Sequence, residues 1–133
     1  MASLILRCIH IAVAYSAEGN TLSFKNICSV IMFQVATSGV TELEFASNAA
    51  LAGTINVNVN NGADPTYTVA SASKTIKVKP SGTSFDTNAI YYVSVLPTLG
   101  AEGTKQTFEI KSEGVVVKSG NVTFKRSKVM NAK

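Results

Sequence analysis

The feature that most constrains this chain is a two-residue rhythm repeated almost from end to end. Ile55, Val57 and Val59 alternate with Asn56, Asn58 and Asn60, and Leu43 and Phe45 alternate with Glu42, Glu44 and Ala46. Side chains of a strand point to opposite faces in turn, so such alternation makes half-buried strands and cannot present one apolar stripe on a helix. Ile9, Ile11, Val13 and Tyr15 start the pattern around His10, Ala12 and Ala14. Leu22 and Phe24, Ile76 and Val78, Phe108 and Ile110, and Val122 and Phe124 continue it. Asn, Gly, Pro and Ser stand at nearly every corner between these segments, where turns need them. Nine to eleven short strands at close spacing, with almost no helix, predict a two-sheet β-sandwich of mostly antiparallel strands.

Some segments are less regular. Ile27 to Val35 is almost continuously apolar and rich in β-branched residues, which predicts a buried strand. Ile90-Tyr91-Tyr92-Val93-Ser94-Val95-Leu96 has the strongest strand preference in the chain, and Pro97 should end it. Only Ser94 interrupts its apolar content, so it is expected at the centre of the domain with both faces covered. Asn61-Gly62 is the strongest two-residue hairpin signal. Thr107 to Ser112 and Val115 to Lys118 should form a hairpin across Glu113-Gly114, with a separate last strand from Asn121 to Lys125. Residues 127–133 are polar and expected to fray.

The chain has 133 residues, enough for one domain, 1–133, with no linker or internal repeat. A domain of this size buries roughly two-thirds of its unfolded surface and needs no metal or disulfide framework. Charged residues are only 15%, against about a quarter in ordinary globular proteins. Thr, Ser and Asn therefore carry the outer sheet faces. The net charge of +4 is a modest lean toward anionic partners and not a nucleic-acid signature. Residues 1–8 look leader-like, but no positive residue precedes the short apolar stretch and Arg7 breaks it. The expectation is that no export signal is visible as written. No run approaches the roughly 20 apolar residues of a membrane helix.

A search for chemistry nominates no catalytic group and no cofactor. His10, the one histidine, alternates with Ile9 and Ile11 on a strand. Cys8 and His10 would share a strand face with no third group to orient a base. One His and two scattered Cys give no structural-zinc spacing. Cys28 lies in an apolar run and reads as a small buried hydrophobe; whether it pairs with Cys8 depends on a distance that sequence does not give. Glu42 and Glu44 share one face, most simply the wet side of their strand. The expectation is a scaffold or binding module and not an enzyme.

Four stretches, taken together and in order, resemble the fimbrillin-like proteins of Bacteroidales. They are Leu22-Ser23-Phe24-Lys25-Asn26-Ile27-Cys28, Val40 to Phe45 with Asn48 to Gly53, Ala89 to Pro97, and Phe124-Lys125-Arg126-Ser127-Lys128-Val129-Met130-Asn131. The match covers roughly Ile11 to Asn131. The resemblance implies a transthyretin-like β-sandwich serving as a structural or adhesive subunit of a surface fimbrium at the outer membrane. Its partners would be other fimbrial subunits or copies of itself, with host or bacterial surface ligands beyond. Family members are exported as lipoproteins and typically carry two such domains, so this chain reads as beginning inside the first. Assembly in that family is by strand exchange, and Ile9, Ile11 and Val13 are the candidate assembly edge here. The alternative is a secreted glycan-binding β-sandwich, with Asn56, Asn58 and Asn60 or an exposed tyrosine against sugar.

Overall fold

The computed structural model describes residues 12–16, 19, 22–101 and 103–132. They form eleven strands: β1 Ala12–Tyr15, β2 Ser23–Asn26, β3 Ser29–Phe33, β4 Leu43–Ser47, β5 Ala52–Asn58, β6 Thr66–Ser73, β7 Thr75–Val78, β8 Tyr91–Val95, β9 Gln106–Ser112, β10 Val115–Val122 and β11 Val129–Asn131. A short 3-10 turn, Asn60–Gly62, is the one helical element among the described residues.

Two sheets enclose the core. One has four strands in the order β10-β9-β4-β7, the other three in the order β11-β3-β8. Every contact within them is antiparallel except β11 with β3, which is parallel. Two hairpins, β1–β2 and β5–β6, form separate two-stranded sheets. The architecture is an all-β sandwich.

The alternation in the sequence becomes the inner face of each sheet. Leu43 and Phe45 on β4, Ile76 and Val78 on β7, and Phe108 and Ile110 on β9 point inward from the larger sheet. Ile31 and Phe33 on β3, and Tyr91, Val93 and Val95 on β8, meet them from the smaller one. Phe45 is fully buried, with the Phe33 ring edge-on at 5.2 Å and Phe108 at 5.7 Å. Such ring pairs add about 0.5–1.5 kcal/mol beyond their buried area. Among the described residues, no buried side-chain nitrogen or oxygen lacks a hydrogen-bond partner. Gln106 shows how: its side chain accepts from Thr98 Oγ1 at 2.6 Å and donates to Ser47 Oγ at 2.7 Å.

Three expectations need correction. β8 is not central with two covered faces. Among the described residues it pairs only with β3 and ends its sheet, and it leaves Tyr92 and the preceding Ile90 exposed. Its apolar density reflects strand preference more than enclosure, while Ser94 is buried. Of the tail expected to fray, residues 127–132 are described and do not simply fray, because Val129, Met130 and Asn131 pair with Val30, Ile31 and Met32, and Ala132 is buried. Asn121 and Val122 do not begin a separate strand, since β10 runs on through Ser119 and Gly120. The Asn61-Gly62 hairpin forms as expected, but its loop is wider than two residues. Asn60 and Asn61 both take positive φ, and Asn60 Nδ2 ties the loop by donating to the Asp64 carbonyl at 2.8 Å.

Candidate assembly site

A sheet protein offers a partner two things, exposed backbone edges and exposed apolar side chains. The rims of the two main sheets and of the β5–β6 hairpin can be judged on both. β7, one end of the larger sheet, is bordered by lysines: Lys77 and Lys79 reach Glu42 at 3.9 and 3.3 Å. Lysine at an edge discourages further pairing. β11 offers only three residues. Beyond the end of β8, Leu96 N–H donates to the Leu51 carbonyl, so that rim is partly occupied. The β5–β6 hairpin exposes no large apolar side chain among its described residues.

β10 differs from all of these. It is eight residues long, ends the larger sheet, and is exposed along nearly its whole length. Val115, Val116 and Val117 are 65%, 45% and 60% exposed. Three adjacent valines cannot keep a two-residue alternation. The strand absorbs them with a shift in register between Val116 and Lys118, which leaves Val117 opposite no residue of β9. Past that bulge, Lys118 lies across from Ile110 and Gly120 across from Phe108, so both belong to the core-facing side.

At the same end of the sandwich a groove of about 490 Å³ opens between the sheets. Phe33, Val35, Leu43, Ile110 and Val117 line it, with Lys118 on its β10 side and Ala132 on its β11 side. Among the described residues no carboxylate lines it, and Lys118 makes no ion pair.

The opposite end is built differently. A wider cleft of about 690 Å³ lies among Ile27, Pro97, Phe124, Tyr67, Asp64 and Arg126. Its polar groups are engaged with one another. Asp64 takes Arg126 Nη2 at 2.8 Å and Lys25 Nζ at 3.3 Å, joining the β5–β6 loop to β2 and to the segment before β11. The hydrogen bond from Lys25 and the charge of Arg126 hold the Asp64 carboxyl below its ordinary range. Tyr67 donates its hydroxyl to the Pro97 carbonyl, and burial, with a smaller push from Cys28, raises its pKa to about 12.

Of the sequence-nominated residues, Ile9, Ile11, His10 and Cys8 lie outside the described residues. Val13 is on β1, half-buried, opposite Lys25 of β2 in a ribbon apart from both main sheets. Cys28 is buried. Glu42 and Glu44 face lysines: Glu44 lies 4.0 Å from Lys111, alongside the Glu42 contacts already described. Asn56 and Asn58 flank a shallow pocket of about 270 Å³ with Thr66 and Tyr67, whereas Asn60 is turned into its own loop. Sequence reasoning missed β10 as a rim. The signal was present in the unbroken Val115-Val116-Val117, which breaks the two-residue alternation. Set against known protein families, curated proteins and solved structures, the chain matches none of them.

Proposed function

We propose that this chain is a structural or adhesive subunit of a bacterial surface fimbrium, a transthyretin-like sandwich that joins its neighbours by β-strand exchange. The observation that carries the reading is β10: an eight-residue edge with three exposed valines, unpaired on its outer side among the described residues, beside an open groove. A partner strand laid along it would satisfy its outer backbone groups and pack beside Val116 on one face and Val115 and Val117 on the other. The four family-like stretches supply the biological setting, the cell surface. The segment carrying Ile9, Ile11 and Val13 is a second candidate edge in this reading.

Size-exclusion chromatography across a range of concentrations tests it. Wild-type protein should form a ladder of oligomers that grows with concentration. Val116→Lys should collapse the ladder to monomer without lowering the thermal midpoint, because Val116 is outside the core. A wild-type chain that stays monomeric at every concentration would count against strand exchange.

A second reading, a secreted glycan-binding module, draws on the Asn56–Asn58–Tyr67 pocket. A monodisperse monomer retained on a glycan array, and released by Asn56→Ala, would favour it.

A further inference from the structure

Lys118 is oddly placed. It is on the core-facing side of an edge strand, in register with Ile110, at the rim of an apolar groove to which no described residue brings a carboxylate. In the isolated chain its ammonium is solvated, so the position costs little. Any strand that pairs along β10 changes this, because it takes water away from that side. An ammonium covered without a partner is strongly unfavourable, whereas one met by a carboxylate is not.

We infer that β10 selects its partner by charge: the groove accepts an extended peptide strand that carries a carboxylate opposite Lys118, with aliphatic residues two positions to either side on the same face. One neighbouring aliphatic side chain falls across from Gly120, where even an added Cβ would meet nothing within 4 Å, so there is room for it. The other falls past the bulge toward Val115 and Val117, over the groove lined by Ile110 and Leu43. An inward lysine on an edge ordinarily keeps strands away. Here it rejects uncharged and basic strands and admits the acidic one, so a single residue supplies both repulsion and attraction. The inference rests on the reading of β10 as an assembly rim and names the chemistry of what it takes.

Three capped peptides test it, acetyl-TVTETVT-amide and its counterparts with Lys or Gln at the central position, titrated into the full chain and followed by amide chemical shifts. The Glu peptide should bind wild type at least about tenfold more tightly than the Lys peptide, the scale expected for a covered charge pair. Shifts should centre on β10 and on Ile110 and Ala132. Lys118→Glu should reverse the order, and Lys118→Gln should level it. Lys118 is exposed, so all three proteins should fold alike.

Equal binding of the Glu and Lys peptides to wild type would overturn the inference, as would a preference that survives Lys118→Glu or no binding of any peptide. Decanoate has an apolar chain and a carboxylate but no backbone to pair. If it displaced the Glu peptide at equal concentration, the groove would be an amphiphile site and the inference would fall. Charge-indifferent peptide binding, beside oligomer ladders that still collapse with Val116→Lys, would remove selection by Lys118 and leave strand assembly standing.

Discussion

Phe45→Ala will destabilise the fold by about 3–5 kcal/mol, the usual cost of emptying a buried phenylalanine site. Phe45 sits on the middle of β4, flanked by β7 and β9, and is fully buried. It touches the smaller sheet through Phe33 and its own sheet through Phe108, which in turn packs edge-on against Phe124 at 5.5 Å. Removing it leaves a void that both sheets border and that neither can fill alone, since the strands are held in register by their ladders. Native domains have only about 5–15 kcal/mol to lose, so the variant will be marginal at room temperature. Denaturant midpoints at fixed slope measure the effect. Val116→Ala, on the exposed rim, should change stability by no more than about 0.5 kcal/mol. A Phe45→Ala loss under about 1 kcal/mol would show that the sheets do not close on this residue.

Gly53→Ala will be nearly as damaging, for a backbone reason. Gly53 has a φ of +137°, a region that side chains rarely enter. A Cβ placed there would stand 1.9 Å from the Ser71 carbonyl oxygen and 2.9 Å from its carbon. The obstruction is the partner strand itself, at the place where β5 and β6 shift register between Thr54 and Ile55. One strand must therefore move, and the bulge and the pairing beyond it move with it. We expect a loss of about 2–4 kcal/mol, combining backbone strain with the displaced ladder. Gly120→Ala provides the contrast: its new methyl group meets nothing, and stability should stay within about 0.5 kcal/mol of wild type.

The two-residue rhythm was enough to read the class of fold and most of its inner faces. Leu43, Phe45, Ile76, Val78, Phe108 and Ile110 all lie where alternation puts them, because a strand has only two faces and one must be dry. Neighbours across a sheet carry no such local mark. β8 reads as a centre because Ile, Tyr and Val favour strands wherever they sit, yet its place at the end of a sheet depends on residues far away in the chain. β11 is three residues between Lys128 and Ala132, too short for a period, and it is fixed by parallel pairing to β3 about a hundred positions earlier. Ser119-Gly120 has the composition of a turn but is held straight by Glu109 and Phe108 opposite. The rim at β10 escaped for the same reason. Its valines are visible in sequence, but that no described strand lies beyond them is a fact of topology.

Hydrogen exchange along β10, compared between dilute and concentrated samples, tests the assembly rim most directly. Amides between Val116 and Val122 that face away from β9 should exchange quickly in dilute protein and slow markedly on concentration, with core amides of β3 and β4 unchanged. Exchange at those positions that is independent of concentration, in samples that nonetheless oligomerise, would put the contact elsewhere and contradict β10 as the joining edge.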